Sequence, residues 1–486
     1  MFAERPTNRG LGHGVDVRTG PHVIIPAMPK LDPTSTEFRE AAHKAVDWIA
    51  DYFDDIDSFP VLSRVQPGDI AKQFGEAPSG EGKSYEALMA EFREKILPGI
   101  THWNHPSFFA YFSITGSQAG VLAELLTAAL NANGMLWKTS PALTELETLS
   151  LGWLRDALGL PSNLFGIIND TASINVFLAL AAAREALGLD IRGQGMAGRD
   201  LPPLKIYCSE HAHSSVEKAG LALGFGQKGV VKIAADEAFR MRPDALEEAI
   251  ARDRAAGALP CAVVATAGTT STGAIDPARL LGAIAQREQC WFHIDGAYAG
   301  SATICPEYRY LWDGVEYADS IVMNPHKWLF TPIDCSVLYT RRPEVLRETF
   351  SLVPEYLKTT DTAEINYMDY GIQLGRRFRA LKLWMVMEHY GLERMRDVIR
   401  GHVQMAERLA EELHKRDDVE VMSQSFSVVV FRLRSGDDAT AALMERMNAS
   451  GKLFVSHTKL HDQYGIRVAI GNGATEWRHV EEILSF

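Results

Sequence analysis

The sequence predicts an α/β protein whose mainly parallel sheet is covered by helices on both faces, followed by a smaller α+β domain. From about residue 118, helical stretches alternate with short apolar runs at residues 204–208, 261–266, 291–294 and 320–323. Such runs, separated by helices, are typical of strands buried in a parallel sheet. Beyond residue 385, helical segments surround two β-rich runs at residues 426–433 and 464–470, which indicates the smaller domain.

The length of 486 residues exceeds what a single hydrophobic core usually serves. We expect an N-terminal arm and helical segment at residues 1–117, a large domain at 118–384 and a small domain at 385–486. In the first region, Thr34 and Glu37 have the spacing of a capping box, and apolar residues then recur at positions 38, 42, 46, 49, 53 and 56. This single apolar stripe predicts a helix that packs against another surface.

Charge and composition exclude several classes of partner. The 49 Lys and Arg residues are outnumbered by 62 Asp and Glu residues, and the formal net charge of -13 argues against nucleic acid or anionic membrane as partner. The N-terminus lacks a secretory pattern, and no apolar run approaches the roughly 18 residues of a membrane span, so we expect a cytoplasmic protein. The five cysteines are scattered without a C-x-x-C pair, which indicates reduced thiols rather than disulfides or a zinc ribbon.

Lys327 is the most informative residue of the sequence. The segment SIVMNPHKWLF (320–330) places it after a predicted buried strand and before three apolar residues. A surface lysine on a loop is the alternative, but apolar sequence on both sides favours a position near the interior, where an ammonium group loses hydration. Because desolvation lowers the pKa of a lysine, it makes the amine nucleophilic.

Asp295 ends another predicted strand, in the segment CWFHIDGAYAG (290–300). Open α/β folds bind ligands at this edge of the sheet. A carboxylate buried among apolar neighbours needs a cation, and the cationic ring nitrogen of a cofactor would meet it, while the small Ala297 leaves space for a flat ring. Taken alone, Asp295 is equally well explained as a helix cap and Ala297 as simply a small residue.

His213 lies just past a predicted strand and before a helix, in CSEHAHSSVEKAG (208–220). An imidazole in this position can lie flat on an aromatic cofactor. The alternatives are a structural histidine or, with His211, a chance H-x-H pair. No H-E-x-x-H motif or cluster of carboxylates accompanies the pair, so we predict no metal site.

A phosphate cradle is predicted where NDTAS (169–173) opens a helix expected at residues 174–187. The free backbone N–H groups of a helix N-terminus, together with hydroxyl groups, bind phosphate. Thr171, Ala172 and Ser173 are the candidate cradle, and Asp170 must then point away from the phosphate dianion. Ordinary helix capping by Asp170 or Thr171 explains the same residues.

The segment GFGQKG (224–229) matches the glycine pattern of dinucleotide-binding proteins. It follows a predicted helix and precedes a predicted strand, whereas the dinucleotide motif runs in the order strand, loop, helix. The segment is therefore interpreted as a turn that terminates a helix, and no nucleotide site is predicted.

Taken together, five segments resemble the group II pyridoxal-phosphate-dependent amino acid decarboxylases, nearest the aromatic L-amino-acid decarboxylases. These segments are PHKWL, HIDGAYAG, AHSSVEKAG, TELET and LGRRFRALKLW, and the resemblance extends from about Asp32 over nearly the whole chain. It implies a fold-type I, aspartate-aminotransferase-like homodimer with a seven-stranded sheet. Its N-terminal helices would pack across the partner subunit, with active sites near the interface. It also implies pyridoxal 5'-phosphate as cofactor and decarboxylation of an L-amino acid, most simply an aromatic one.

The resemblance assigns roles to residues around the cofactor. Lys327 would bind it as a Schiff base, and Asp295 would face its pyridine nitrogen. His213 and Ala297 would lie on opposite faces of the ring, and Thr270 would lie beside it. The residues that match contacts on the phosphate side are Ser173, Asn324 and His326.

Tyr356 matches a catalytic tyrosine that the family carries on a mobile loop. It lies in FSLVPEYLKTTDTAEINY (350–367), whose polar, unpatterned residues 358–364 are typical of a lid. Family members with phenylalanine at this place act as aldehyde synthases, so the tyrosine favours plain decarboxylation. The alternative is a surface loop with an incidental tyrosine.

The expected substrate wall is aromatic. In HWNHPSFFAYF (102–112), the residues that match the family's wall are Trp103, Phe109, Tyr111 and Phe112. These side chains suit a ring-bearing substrate, although core or interface packing explains each of them singly.

Two departures leave the preferred amino acid open. Ser113 and Ile114 replace the proline and threonine usual in animal aromatic decarboxylases, and the pocket positions in NANGMLW (131–137) become Asn133 and Met135. These changes predict a reshaped, more polar pocket. The rival hypothesis is a decarboxylase of a nonaromatic amino acid on the same fold; for an acidic substrate it requires an arginine near the side-chain carboxylate, and none stands out at residues 103–135.

Overall fold

The computed structural model describes residues 31–32, 34–75, 77, 80–352 and 364–486. The chain divides into two compact units, one comprising residues up to Asp54 together with Pro78–Glu91, the other comprising Asp55–Ala77 and Phe92–Phe486. The helices of the first unit are α1 (Ser35–Asp54) and α2 (Tyr85–Glu91).

The predicted capping box at the start of α1 is confirmed. The backbone N–H and the hydroxyl of Thr34 donate to Glu37 Oε2 at 2.9 and 2.8 Å, and the backbone N–H of Glu37 donates back to Thr34 Oγ1 at 3.3 Å. No residue of α1 is buried, and Phe38 and Val46 are 59% and 41% exposed. Of the predicted apolar stripe, Phe38 and Val46 are thus exposed, positions 42, 49 and 53 are half-buried, and Ile56, which lies beyond the helix, is buried.

A seven-stranded sheet forms the centre of the second unit. Its strands are β1 (Phe165–Asn169), β2 (Leu204–Ser209), β3 (Val230–Ile233), β4 (Leu259–Thr266), β5 (Trp291–Asp295), β6 (Ser320–Met323) and β7 (Ser336–Thr340), in the spatial order β1-β7-β6-β5-β4-β2-β3. β7 is antiparallel to both of its neighbours, and the strands from β6 to β3 are parallel to one another. The predicted mainly parallel sheet is thus confirmed.

Helices cover both faces of this sheet. They are α3 (Gln118–Leu130), α4 (Pro141–Leu158), α5 (Ala172–Glu185), α6 (Ile191–Gln194), α7 (Ser215–Ala222), α8 (Pro243–Ala255), α9 (Ala278–Arg287), α10 (Pro325–Trp328) and α11 (Pro343–Phe350). Val263 and Val264, adjacent on β4, belong to two different buried clusters. One cluster includes residues of α4 and α9, the other residues of α5 and α7, so successive side chains of a strand are buried on opposite faces.

A four-stranded antiparallel sheet forms the small domain near the C-terminus. The elements of this part are α12 (Arg379–His414), β8 (Val419–Ser425), β9 (Val428–Leu433), α13 (Asp437–Ala449), β10 (Ser456–Leu460), β11 (Gln463–Ala469) and α14 (Trp477–Glu481). The spatial order is β10-β11-β9-β8, and α12 is broken at Gly391, whose φ is +68°. The boundary predicted at residue 385 therefore falls inside α12, six residues before its break.

The segment before α3 pairs with the small domain rather than with the N-terminal helices. The Phe109 N–H donates to the carbonyl of Phe454 at 2.8 Å, and the Ala469 N–H donates to the carbonyl of Phe109 at 2.9 Å. Residues 55–77 and 92–117 consequently belong to the larger compact unit, whereas the predicted first region grouped them with α1.

The glycine-rich segment at residues 224–229 is the turn that the sequence predicted. It lies between the end of α7 and the start of β3, and Gly224 and Gly226 adopt φ values of +86° and +71°, which suit glycine. Within the described ranges, no helix combines the length and apolar character that crossing a bilayer requires. The same ranges hold no group of three or more His, Cys, Asp or Glu side chains placed to bind a metal ion.

Candidate active site

The site forms where parallel strands end side by side. Asp295 is the last residue of β5 and pairs in register with Thr266 of β4 and Val322 of β6. The chain leaves β6 at Asn324, whose backbone N–H donates to the carbonyl of Ala297 at 3.2 Å. Because these strands run in the same direction, their carboxyl ends bring the two predicted segments to one edge of the sheet.

Lys327 lies in α10, three residues after Asn324. Its backbone N–H donates to the carbonyl of Asn324 at 3.0 Å, and its Nζ lies 5.2 Å from the centre of the Phe112 ring. Among the described residues, this amine has neither a hydrogen-bond partner nor an ion-pair partner. Burial lowers the pKa of Lys327, the charge of Asp295 opposes that shift, and the charge of Arg467 adds to it. An unpaired amine with a lowered pKa is an activated nucleophile.

Asp295 is only 5% exposed. Its Oδ1 accepts the backbone N–H of Ala297 at 3.0 Å in a local turn, whereas the helical segment that follows is Ala299–Ile304 with Tyr298 as its N-cap, so Asp295 is not a helix cap. No ion pair with Asp295 is formed by any residue in the described part of the chain. Its negative charge nevertheless acts on its surroundings, because it raises the pKa of both Lys327 and His213 against the effect of burial. The carboxylate thus retains the capacity to meet a cation brought by a ligand.

His213 is partly exposed, and it lies close enough to Asp295 and Lys327 for their charges to act on its pKa. Its Nδ1 accepts the backbone N–H of Ser215 at 3.2 Å and lies 2.9 Å from the hydroxyl of that serine. Because Nδ1 is an acceptor, the neutral ring carries its hydrogen on Nε2. Partial burial lowers the pKa of His213, with Asp295 acting in the opposite direction. The ring is therefore held in one orientation with one tautomer.

The predicted phosphate cradle lies at the start of α5. The N–H and the hydroxyl of Thr171 both donate to Asp170 Oδ1, at 2.5 and 3.1 Å, and Gln373 Nε2 donates to the other carboxylate oxygen at 3.1 Å. Both donors of Thr171 are thus used within the chain, and its part in the phosphate cradle stays a prediction. Ala172 and Ser173 begin α5, and their N–H groups have no partner in the described chain, as expected for the first turn of a helix.

Asn324 and His326 are fixed by β7 and the residue before it. His326 Nδ1 accepts the backbone N–H of Cys335 at 3.0 Å, and Asn324 Oδ1 accepts the hydroxyl of Ser336 at 2.5 Å. Burial lowers the pKa of His326 to about 3, so the imidazole is neutral and presents its Nε2–H. Both side chains are almost fully buried and oriented as donors.

Arg467 is a member of the site that reasoning from the sequence missed. It lies on β11, is 3% exposed, and donates from Nε to the carbonyl of Thr270 at 2.7 Å and from Nη1 to the carbonyl of Tyr111 at 2.6 Å. Its guanidinium lies 4.7 Å from the centre of the Phe112 ring, and its buried Nη2 is unpaired. Burial lowers the pKa of Arg467 to about 10. The one signal in the sequence was a charged residue inside the apolar run at 464–470.

The predicted aromatic wall is only partly assembled around Lys327. Phe112 lies near both the Lys327 amine and Arg467 and stacks on Tyr298, with ring centres 3.7 Å apart. Trp103 stacks on Tyr111 at 5.8 Å. Phe109 has no exposed surface and packs in the core of the small domain, which favours the packing explanation for that residue.

Three further predicted residues lie elsewhere or outside the described ranges. The side-chain oxygen of Asn133 accepts the backbone N–H groups of Met135 and Arg376 at 3.2 and 3.0 Å. Met135 packs beside Leu136 and Met368. Tyr356 lies outside the described residues. The substrate roles assigned to Asn133 and Met135 and the catalytic role assigned to Tyr356 stay predictions.

The groups that converge here match the chemistry of pyridoxal phosphate. The Lys327 amine can bind an aldehyde, the Asp295 carboxylate can face a cationic ring nitrogen, and the N-terminus of α5 can bind a phosphate. Ala297 is the small residue that leaves room beside Asp295, and the unpaired Nη2 of Arg467 can take a carboxylate. Among the described residues, the Lys327 amine, the N–H groups that begin α5 and Arg467 Nη2 have no hydrogen-bond partner, and Asp295 has no ion-pair partner. The residues present therefore fit the cofactor and a carboxylate-bearing substrate.

Comparison with known proteins agrees with this site. The profile described as "Pyridoxal-dependent decarboxylase conserved domain" matches residues 67–434. The chain is similar to tryptophan decarboxylase 2 of Oryza sativa subsp. japonica, with 41% identity over 93% of this chain and 94% of the relative. It is 40% identical to phenylacetaldehyde synthase of Arabidopsis thaliana over 92% and 94% of the two chains. The crystal structure of Oryza sativa TDC with PLP and tryptamine superposes with a TM-score of 0.90 at 37% identity, covering 94% of this chain and 98% of that one.

Proposed function

This chain belongs to the pyridoxal-dependent decarboxylase family, and from that membership we propose that it converts aromatic L-amino acids to the corresponding amines and carbon dioxide. It is a pyridoxal-phosphate-dependent carboxy-lyase with a fold of type I. The observation that carries the proposal is the unpaired Lys327 amine at the same sheet edge as the Asp295 carboxylate. The aromatic substrate class is supported by the 41% identity to a tryptophan decarboxylase.

The residues of the site divide the work of holding the cofactor. Lys327 would anchor it covalently, the N–H groups of Ala172 and Ser173 would hold its phosphate, and Asp295 would keep the proton on its ring nitrogen. When bound, pyridoxal phosphate supplies a conjugated cationic ring that accepts the electron pair released as the carboxylate leaves. The lowered pKa of Lys327 increases the fraction of its amine that is neutral, and the neutral amine is the form that reacts with a carbonyl.

Arg467 and Phe112 are suited to orient the substrate. The guanidinium uses two of its five N–H donors on backbone carbonyls, one from Nε and one from Nη1, and Nη2 has no partner, so it can bind a carboxylate. It would thereby fix the position of the substrate carboxylate in the site. The Phe112 ring offers an apolar face beside it.

Tyr356 is proposed to deliver the proton that completes the amine, with His213 assisting. For Tyr356→Phe we expect amine formation to fall about 100-fold, since a positioned acid contributes roughly 10²- to 10⁴-fold. In its place the substrate, O₂ and water should give the aldehyde, ammonia, carbon dioxide and hydrogen peroxide. Amine, aldehyde and peroxide are measured in the same reaction, with Tyr310→Phe, which alters an exposed tyrosine, as matched control. Full amine yield without peroxide would contradict the assignment.

A panel of L-amino acids tests the proposed function. Tryptophan, tyrosine, phenylalanine and dihydroxyphenylalanine are compared with glutamate and cysteine sulfinate, and amine and carbon dioxide are quantified together. We expect equimolar amine and carbon dioxide from at least one aromatic substrate, with kcat/KM exceeding that of the acidic ones by about 100-fold. The acidic substrates are included because the rival hypothesis requires an arginine that binds the side-chain carboxylate of an acidic substrate. Arg467 is a buried arginine in the site that can bind a carboxylate. Turnover confined to acidic substrates would establish that rival.

We also propose that the enzyme is a homodimer. The support is the apolar surface that single helices leave uncovered: Leu122, Leu126 and Leu130 of α3 are 50%, 50% and 62% exposed, and Trp153 of α4 is 43% exposed. On α1, Phe38 and Val46 of the apolar stripe are also exposed. Exposed apolar surface of this kind is typical of obligate interfaces between subunits.

A further inference from the structure

Four buried polar side chains form a continuous chain of hydrogen bonds beneath the α5 N-terminus. Asn169 Nδ2 donates to Asn175 Oδ1 at 2.6 Å, Asn175 Nδ2 donates to Ser336 Oγ at 2.7 Å, and the Ser336 hydroxyl donates to Asn324 Oδ1 at 2.5 Å. Asn175 and Ser336 are completely buried, and the two outer residues are at most 5% exposed. We call this chain the amide relay.

The direction of the relay is fixed by the hydroxyl at its centre. Ser336 has a single hydrogen, and because it donates that hydrogen to Asn324, it must accept from Asn175. The Oδ1 of Asn324 is therefore occupied, and Nδ2 is left as a donor without a partner among the described residues. A buried amide with an unused donor is costly unless a ligand or solvent meets it.

The relay connects the two places that the cofactor must span. Asn175 lies in the first turn of α5, two residues after Ser173, and Asn324 lies three residues before Lys327. Ser336 begins β7, which separates β1 from β6 in the sheet. A rigid link through Ser336 thus sets the spacing between the helix N-terminus that holds the phosphate and the lysine that holds the aldehyde carbon.

We propose that Asn175 and Ser336 are positioning residues that fix the phosphate side of the cofactor site relative to Lys327 and orient the amide of Asn324 as a donor to the phosphate. The inference rests on the cofactor of the proposed function and concerns residues that touch neither the reacting atoms nor the substrate. The inference predicts a selective effect on phosphate-bearing ligands. A ligand without the phosphate does not depend on the spacing between the α5 N-terminus and Lys327. A residue needed only for folding would affect both ligands alike.

The test compares the dissociation constants of pyridoxal phosphate and of pyridoxal, measured by titrating the full chain freed of cofactor and following absorbance. For Ser336→Ala we expect the dissociation constant for pyridoxal phosphate to rise about tenfold or more, since two buried groups lose their partner. The constant for pyridoxal should stay within about twofold. The matched control is Ser150→Ala, which removes another completely buried hydroxyl, one that has no hydrogen-bond partner, and should alter neither constant.

Ser336→Cys gives a second, milder test should the alanine variant fail to fold. The thiol is similar in volume to the hydroxyl but is a weak donor. We therefore expect the dissociation constant for pyridoxal phosphate to rise again relative to that for pyridoxal, by less than in Ser336→Ala. Equal weakening of both ligands, or no change in either, would overturn the inference while leaving the proposed function intact. Failure of the unaltered chain to bind pyridoxal phosphate would instead contradict the cofactor site itself.

Discussion

Replacing Lys327 by alanine is expected to abolish the absorbance band of the covalently bound cofactor and to lower turnover at least about 10³-fold. The structure gives the reason, because the Lys327 amine is unpaired among the described residues and its pKa is lowered by burial. Without that amine, the cofactor would be held only by its phosphate and ring contacts. Absorbance of the purified variant and product formation at saturating substrate measure the two effects.

Lys382→Met is the matched control for this prediction. Lys382 is 1% exposed, and it is ion-paired with Glu124 and Asp334, which makes its amine a poor nucleophile. The methionine variant should keep the absorbance band even if it is less stable. A Lys327→Ala enzyme that retained both the band and its turnover would contradict the role of Lys327.

The second large effect is expected for Asp295→Asn. The amide keeps the size of the carboxylate and can still accept the Ala297 N–H through its oxygen. It cannot stabilise a proton on the ring nitrogen, so we expect kcat to fall about 10²- to 10³-fold, the usual loss when one aligned electrostatic partner is removed. The fall should appear equally in kcat and kcat/KM, because the interaction matters most in the transition state.

Asp319→Asn separates this effect from a general loss of charge. Asp319 precedes β6, at the opposite end of that strand from the site, and its carboxylate accepts the backbone N–H of Phe292 at 2.9 Å. We expect little change in kcat for that variant. An Asp295→Asn enzyme with nearly unaltered kcat would show that the carboxylate does not act on the ring nitrogen.

The strands that the sequence could predict are those buried on both faces. The apolar runs of β2, β4, β5 and β6 were found within a few residues of their ends, because nearly all of their side chains are buried. β8 and β10 were missed, since their residues are mostly half-exposed or exposed and their sequences, VEVMSQS and SHTKL, are rich in polar residues. β1 was missed because it contains a glycine and its first two residues are only half-buried. β7 is the exception, since it was missed although all five of its residues are buried.

The site could be predicted where neighbouring residues carry the chemistry. Lys327 and Asp295 each follow a predicted strand, and the rule that parallel strands end at one edge was enough to bring them together. Arg467 reaches Thr270 across 197 positions, and Asn175 reaches Ser336 across 161, so these contacts depend on how the small sheet and β7 pack. The hydrogen bonds between Thr171 and Asp170 depend on a rotamer of Asp170 that no spacing reveals.

Identification of the lysine that carries the cofactor tests the central claim most directly. The purified holoenzyme is treated with borohydride, which makes the bond between lysine and cofactor permanent, and is then digested and sequenced by mass spectrometry. The account predicts a phosphopyridoxyl group on Lys327, in the peptide that also contains Trp328. Modification of Lys382 or another lysine instead, or of none, would contradict it.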